Sequence, residues 1–389
     1  MQRLTWCVIL SLCVLLSACG QKKQKQEVYD QWNAARASVQ GNLSAEQYKN
    51  GNLPDARKSI DQAMKLEPKN VAYRLLSAQI YIESSVLEAA QRELDTVRLL
   101  DPKNAQADYL SGIVYQRWQK PIVALDYYTK ASEKAPAELP YLMARAEMLI
   151  QVGKPADAIS LLEGRLAYFE HSGSVRDMLG GLYLQQGRVK DAVAIFQQAT
   201  ILSPDDLEIR ERYVRALFRA AQYRACIGEL TRLTTDEVFA KRADLHLLLG
   251  ECYLQTDDAR NAKAEFEAAT NLSPNLVTAW LGVAKAAMSL NDLDRCENAL
   301  KKAASLEPQN AQVHLAIGYL RMKQARNAEA IAALEKASQL DPKDPVSLCL
   351  LGLMQERAGK KDLAMDYYAK ALQLRPDDEL ARSLMKRAK

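Results

Sequence analysis

Small and large apolar residues recur along most of the chain at one fixed interval, the step from Pro68 to Pro102 and again to Pro136. Units are counted from the third residue after each such proline. The eighth position is then small in all units but one: Ala78, Gly112, Ala146, Gly180, Val214, Gly250, Ala284, Gly318 and Gly352. The twenty-fourth position is large: Leu94, Tyr128, Leu162, Phe196, Leu230, Phe266, Leu300, Leu334 and Tyr368. A fixed period in this range indicates a repeat array.

Each unit is predicted to contain two packed helices. The twentieth position is always Ala or Cys, and small residues at positions eight and twenty let two helix backbones approach closely. The large residue at position twenty-four fills the space beside them. Strong helix formers dominate the composition, and the recurring proline follows the second helix, where it ends that helix without breaking one. Gly51, Gly153, Gly187 and Gly359 lie near the predicted turn between helices, where a positive φ favours Gly.

These positions resemble the tetratricopeptide repeat (TPR) family, and the resemblance covers residues 37–378. It implies an all-α TPR superhelical solenoid of about ten helix-turn-helix repeats, which we place at residues 28–378. The fourth unit has Glu170 in place of its proline. The sixth has Val214, Cys226 and Val238 at key positions and two extra residues near 234–240, so we expect an irregular joint near 207–242. Residues 379–389 are predicted to form a C-terminal capping helix.

The N-terminal residues predict export. Residues 1–18 combine Arg3 with an apolar run that is too short for a comfortable membrane span, which is typical of a signal peptide. The string Leu16-Ser17-Ala18-Cys19 resembles a bacterial lipobox and implies cleavage before Cys19 and lipidation (palmitate) of that residue. The alternative is an ordinary secretory signal or a membrane anchor with an incidental Cys. Residues 19–27 are then a lipidated tether.

The resemblance to a bacterial TPR-containing lipoprotein also implies a location. Gly20, rather than Asp, follows the Cys. By similarity to Gram-negative sorting rules, this favours the outer membrane, with the chain lipid-anchored and facing the periplasm.

The TPR resemblance further implies that positions two, five, nine, twelve and thirteen of each first helix line a concave groove. Here these positions carry a long apolar stripe with charges near its middle, and exposed apolar surfaces on this scale mark interaction sites. The predicted partner-binding residues are Leu75, Ile82, Tyr109, Met143, Ile150, Leu184, Glu211, Arg215, Phe218, Leu247, Leu254, Leu281, Met288, Leu315, Tyr319 and Met322. The alternative is that these side chains pack on neighbouring helices.

Charge and composition point away from other functions. A net charge of +4 over 389 residues argues against nucleic-acid binding, which needs a clustered basic surface. The three histidines are scattered, so we expect no metal, and no catalytic carboxylate pair or phosphate-binding loop is recognisable. We therefore expect no enzyme activity, cofactor or small-molecule substrate. Cys226 and Cys296 occupy positions that require a small residue, although Cys226 could alternatively pair with Cys252.

The sequence thus predicts a lipid-anchored TPR scaffold that binds protein partners in the cell envelope and supports assembly of an envelope, pilus, secretion or polysaccharide-export machine. The alternative is a non-catalytic regulatory or docking subunit of a peptidoglycan- or glycan-processing enzyme complex. A glycan-binding array is a weaker alternative, since it would need an aromatic-rich groove and only Tyr109, Phe218 and Tyr319 stand at groove positions.

Overall fold

The computed structural model describes residues 28–388, and all regular structure in that range is helical. There are twenty-one α-helices in this range and one short 3-10 helix, Phe239–Lys241. The helices are α1 (28–49), α2 (Leu53–Leu66), α3 (Val71–Glu83), α4 (Leu87–Leu100), α5 (Ala105–Arg117), α6 (Pro121–Lys134), α7 (Leu139–Gln151), α8 (Pro155–Glu163), α9 (Gly173–Gln185), α10 (Val189–Leu202), α11 (Leu207–Arg219), α12 (Tyr223–Leu233), α13 (Ala243–Gln255), α14 (Ala259–Leu272), α15 (Val277–Ser289), α16 (Leu293–Leu306), α17 (Ala311–Lys323), α18 (Asn327–Leu340), α19 (Pro345–Arg357), α20 (Lys361–Leu374) and α21 (Glu379–Ala388).

The predicted all-α class and the helix-turn-helix repeat are confirmed. From α3 onward the first helix of each unit has 13 residues, and most second helices have 14. Asn70, Asn104, Asp206 and Asn310 begin first helices by accepting hydrogen bonds from the first-turn backbone amides, which satisfies donors that the helix itself leaves free. These local signals place the helix boundaries where the repeat phase predicts them.

The small residue at position eight lies directly against the large residue at position twenty-four of the same unit. A Cβ atom added at the glycine would come within less than 3.0 Å of its partner side chain in five units. The pairs are Gly112 with Tyr128, Gly180 with Phe196, Gly250 with Phe266, Gly318 with Leu334 and Gly352 with Tyr368. The Ala or Cys residues at position twenty are fully buried. Close approach of the paired helices, inferred from residue size, is therefore what the structure contains.

The turn between the paired helices places its fifteenth repeat position in the left-handed region in every unit. Four of these residues are the predicted Gly51, Gly153, Gly187 and Gly359, with φ between 73° and 77°. The other six are not glycine: Ser85, Gln119, Ala221, Asp257, Asn291 and Ala325, with φ between 56° and 61°. Because the left-handed conformation costs an L-residue roughly 1–2 kcal/mol, the packed helices must hold this turn in place.

The repeats are divided between two larger compact parts of the chain, one ending at Val175 and the other beginning at Arg176. From here on, these two parts are called the first and second unit, and a single helix pair is called a repeat. In the first, α8 has nine residues and is followed by turns over 164–172, where the fourth repeat lacks its proline. In the second, α12 has 11 residues, and turns with the 3-10 helix separate it from α13. Both second helices are shorter than their counterparts, so each departure from the sequence period coincides with a shortened helix.

The last helix, α21, packs on the final repeat. Ala381 and Leu384 are buried in one cluster with Leu348 and Tyr368, and Arg387 donates to the Glu356 carboxylate at 2.9 Å. The predicted signal peptide, the lipidation site Cys19 and the tether lie outside the described residues. Across 28–388, none of the helices combines the length and apolar character that a membrane crossing requires.

Candidate partner-binding groove

First helices of consecutive repeats in the second unit enclose a groove of about 1030 Å³. Its floor is formed by α13, α15 and α17, with Arg215 of α11 at one end and Leu350 of α19 at the other. We call it the α13–α17 groove. The residues that carry its chemistry are Leu247, Leu281, Lys285, Met288, Leu315, Tyr319 and Lys323.

The helical period explains why these side chains share one surface. In α15, Leu281, Lys285 and Met288 are spaced i, i+4 and i+7, so they lie along one face of the helix. The opposite face holds Val283 and Ala286, which are buried in the core with Leu300. Leu315 and Tyr319 occupy the same i and i+4 positions in the first helix of the next repeat. The groove-facing side chains of one first helix are thus continued by those of the next.

The structure brings six of the sixteen predicted residues together in this groove. They are Arg215, Leu247, Leu281, Met288, Leu315 and Tyr319. Leu281 is buried at its floor, whereas Tyr319 is 42% exposed. The floor is therefore apolar and the rim accessible, which is the arrangement that a binding groove needs.

The remaining predicted residues do not line this groove. Leu254 packs on the core around Phe266, and Met322 packs on the core around Leu334. Leu184 is half-buried, and Phe218 lies edge-on against Tyr223 with ring centroids 5.8 Å apart. For Leu254 and Met322, the structure therefore matches the alternative that these side chains pack on neighbouring helices.

In the first unit, Leu75 and Ile82 are buried together with Leu94 and Leu110. They form part of that unit's core. Tyr109 is half-buried and packs against Tyr128 and Tyr141, with ring centroids 5.7 and 4.6 Å away. Met143 and Ile150 are also half-buried.

The predicted charged pair at the groove end belongs to a local ion-pair network. Glu211 accepts from Arg242 at 2.5 Å and from Arg215 at 2.7 Å, while Asp244 accepts from the same two arginines at 2.7 and 3.1 Å. Burial opposes ionisation of both carboxyl groups, but the arginine hydrogen bonds outweigh it and lower the pKa values of Glu211 and Asp244. Glu211 and Arg215 thus hold this end of the groove together. The sequence does not identify Arg242 as part of this network, because its partner Glu211 lies on α11, far away along the chain.

Two lysines in the groove were also missed. Lys285 Nζ lies 3.9 Å from Glu251 and its side chain is well exposed, and Lys323 lies near the far rim. They occupy repeat positions nine and thirteen, which the TPR resemblance already marks as groove positions. The predicted lining includes Arg215 and Tyr319 from position nine but leaves out these lysines, whose charge at positions nine and thirteen is the signal that identifies them.

His246 and Glu265 form a polar pair beside the irregular segment. His246 Nδ1 lies 2.6 Å from the Glu265 carboxylate, and Nε2 lies 3.0 Å from the Ala240 carbonyl oxygen. Since both partners are acceptors, a doubly protonated ring satisfies both, and the hydrogen bond to Glu265 raises the pKa of His246. Across the described residues, no group of three or more His, Cys, Asp or Glu side chains is arranged to hold a metal ion.

The four cysteines Cys226, Cys252, Cys296 and Cys349 are buried free thiols. Cys226 Sγ donates to the Val214 carbonyl oxygen at 3.4 Å. A hydrogen bond with Cys226, together with burial, raises the pKa of the Cys252 thiol. Cys226 and Cys252 are therefore neighbouring free thiols in the structure, and a disulfide between them stays an alternative.

Two protein-family models match the chain over successive ranges. A tetratricopeptide repeat family model matches residues 47–112, and a family model described as the C-terminal domain of cilia and flagella-associated protein 70 matches residues 123–389. Among solved structures, yeast Tom70 is similar with a TM-score of 0.48 and 13% identity, over 91% of this chain and 88% of that one.

Two curated relatives share shorter segments. Protein NPGR2 of Arabidopsis thaliana is 30% identical over 162 residues, which cover 37% of this chain and 22% of that protein. BBSome complex member BBS4 of Mus musculus is 22% identical over 144 residues, covering 36% of this chain and 27% of that protein. The chain thus spans about a quarter of the length of these relatives. With both family models matched over successive parts of the chain, it belongs to the tetratricopeptide repeat family.

Proposed function

We propose that this protein is a lipid-anchored scaffold that binds a segment of a partner protein in the α13–α17 groove, at the periplasmic face of a bacterial outer membrane. The TPR fold supports the coarser part of this proposal, protein-partner binding. The observation that carries the rest of the binding argument is the groove itself, with its apolar floor and accessible rim. The anchor rests on the lipobox-like string ending at Cys19.

The groove has room for a short structured segment. An α-helix with its side chains is about 10–12 Å in diameter. At that width, the groove volume of about 1030 Å³ accommodates roughly two helical turns. Leu247, Leu281 and Leu315 recur at the same position in the first helices of three consecutive repeats and offer apolar contacts along the groove. This matches an amphipathic segment that lays its apolar face into a groove.

The groove lining is mixed in charge, with Glu251, Asp341 and Asp344 beside the lysines, and an acidic group on the segment is favoured locally, next to Lys285. Lys285 is well exposed and only loosely paired with Glu251, and Lys323 brings a second ammonium group to the rim. Asp244, in contrast, is already neutralised by Arg215 and Arg242. A partner carboxylate beside Lys285 gains an ion pair without breaking a strong one, so we propose an amphipathic partner segment with Asp or Glu next to its apolar face.

Site-specific crosslinking in cells tests the groove. We expect a photoreactive residue at Tyr319 to form an adduct with one partner protein, and we expect Lys285→Glu to reduce that adduct. A photoreactive residue at Leu272, which is exposed on the second helix α14 and lies outside the groove, is the control. Equal adducts at both positions, or none at Tyr319, would remove the groove from the proposal. Mass spectrometry of the partner distinguishes an assembly machine from a glycan-processing complex.

The anchor has a separate test. Cys19→Ser removes the thiol that would form the thioether, so we expect the protein to leave the membrane fraction or to accumulate unprocessed. The control is Cys296→Ser, which retains Cys19 and changes a residue buried in the fold. Membrane association that persists unchanged in Cys19→Ser would contradict lipidation, whatever the groove binds.

A further inference from the structure

The first helix carries two apolar faces, and one of them is uncovered. Residues 28–49 form a single helix that is longer than the later first helices, and the repeat phase begins only at Ala37. Ala37, Gly41 and Ser44 face the fold: Gly41 lies against Tyr73, and Ser44 Oγ donates to the Ala56 carbonyl oxygen at 2.7 Å. These residues account for the packing of α1 on the first unit.

The other face of α1 is exposed, and one edge of it borders α2. Val28, Trp32, Val39 and Leu43 are spaced by four, seven and four residues, so they form one helical stripe. Their exposed fractions are 62%, 55%, 64% and 40%. Val39 follows Ala37 by two residues, about 200° around the helix. Apolar surface costs about 25 cal/mol per Å² when left in water, so a continuous stripe indicates a surface that something else covers.

Basic groups accompany this stripe. The Arg36 guanidinium carbon lies 4.5 Å from the centre of the Trp32 ring. Trp32, Arg36 and Val39 line a shallow groove of about 440 Å³ together with Lys65 and Leu66 of α2. In the sequence, the three lysines Lys22, Lys23 and Lys25 precede the helix, and two acidic residues, Glu27 and Asp30, lie near its start. The surface is therefore aromatic, aliphatic and basic.

We propose that this face of α1 lies on the surface of an anionic lipid bilayer at the level of the headgroups. This inference rests on the proposed lipid anchor at Cys19. Nine residue steps separate Cys19 from Val28, and a chain of that length spans at most about 30 Å. A bilayer that holds the lipid is thus always within reach of Trp32, so the contact forms at high effective concentration.

The chemistry of the stripe matches that surface. Trp and Tyr favour the membrane interface, where the ring is in a partly apolar environment and its polar group stays hydrated. Arg36 and Lys65 can direct their charged ends to lipid phosphates while their aliphatic parts cover apolar surface. A helix of this kind lies in the interface plane without crossing the bilayer. The contact would fix how the first unit is oriented on the membrane.

A lipid-quenching experiment tests this contact. An environment-sensitive fluorophore is attached at Val39→Cys, and at Val238→Cys as a matched control, since Val238 is 70% exposed in the other unit. The lipidated full chain is placed on phosphatidylglycerol-containing vesicles that carry a lipid-borne quencher. We expect at least about twofold stronger quenching at position 39 than at position 238. Flotation of the same vesicles reports the anchor separately.

A second arm keeps the test valid if lipidation fails. The chain from Gly20, which retains all described residues, is attached to nickel-chelating vesicles through an N-terminal hexahistidine tag, and the same quenching is measured. Equal, weak quenching at both positions would overturn the proposal. A fluorescence change at position 39 that depends on protein concentration and not on the lipid quencher would also overturn it, because a second copy of the chain would then cover the stripe.

The charge contribution is tested by one substitution. In the untagged soluble chain, we expect Arg36→Gln to lower partitioning onto phosphatidylglycerol vesicles about fivefold, the effect of one basic side chain near an anionic surface. Partitioning onto neutral phosphatidylcholine vesicles should change little. Equal loss on both vesicle types would contradict recognition of anionic headgroups, and unchanged partitioning on both would contradict contact by this face.

Discussion

Gly282 provides the sharpest test of how the repeats pack. The Phe266 side chain, 2% exposed, is held between Gly250 of its own repeat and Gly282 of the next. A Cβ atom at Gly282 would lie within less than 3.0 Å of the Phe266 ring atoms Cγ, Cδ1 and Cε1. Because Cγ and Cδ1 are near the base of the ring, the side chain cannot swing away without moving its own helix. Gly282→Ala should therefore strain the junction between α14 and α15.

The magnitude follows from a matched pair of substitutions. Ala in place of Gly inside a helix gains up to about 1 kcal/mol of propensity, whereas overpacking a buried site costs about 1–3 kcal/mol. Gly228 lies inside α12 with no atom within 4 Å of an added Cβ, so Gly228→Ala should show the propensity gain alone. The difference between the two variants isolates the steric cost, and we expect it to be about 1–3 kcal/mol.

Urea unfolding and local hydrogen exchange together provide the measurement. Repeat arrays can unfold unit by unit, so exchange in peptides covering α14–α16 reports the affected junction directly. Phe266→Leu shortens the side chain, and a double-mutant cycle with Gly282→Ala should give a coupling of about 0.5–3 kcal/mol. If Gly282→Ala were as stable as Gly228→Ala, or if the cycle showed no coupling, the packing argument would be wrong.

Three further predictions concern the turns, a histidine and the thiols. Ala221→Gly should stabilise the protein by up to about 1 kcal/mol by relieving a left-handed alanine, and Gly187→Ala should destabilise it; urea unfolding that reverses these signs would refute the turn assignment. Because the pKa of His246 is raised above 6.5, its stabilisation is complete below the unfolded-state pKa and is lost as pH rises through the folded-state pKa. This decrease in the free energy of unfolding should be below about 1 kcal/mol after solvent screening. In thermal unfolding, His246→Gln should show a smaller decrease in stability over the same pH range. Burial raises the pKa of Cys296 and of Cys349 from 9.0 to about 11, so at pH 8 their thiolate fractions should be about 100-fold below that of an exposed cysteine. Alkylation of the folded protein as fast as that of the protein unfolded in urea would contradict this. In the same assay, two additional reactive thiols after reduction would indicate a Cys226–Cys252 disulfide.

The predicted groove illustrates where sequence analysis stops. Position five is apolar in most repeats, yet Leu75 is part of a core while Leu315 faces the α13–α17 groove. The residue type and repeat position are shared, so the difference comes from the side chains that surround each residue in the fold. The same holds for the charges, since Glu211 was predicted for the groove without its partner Arg242. Pairings between distant parts of the chain depend on which helices become neighbours.

The sequence by itself determined the helices, their pairing and their close approach, because these depend on local propensity and on residue size at a fixed period. Gly112 against Tyr128 and Gly250 against Phe266 could both be inferred from the constant separation of positions eight and twenty-four within a repeat. Only the tertiary structure decided which apolar positions remain accessible, that the turn is left-handed even at Ala221 and Ala325, and that α1 keeps an uncovered apolar face. Those properties depend on which helices and side chains become neighbours in space, and the residues of one repeat do not specify its neighbours.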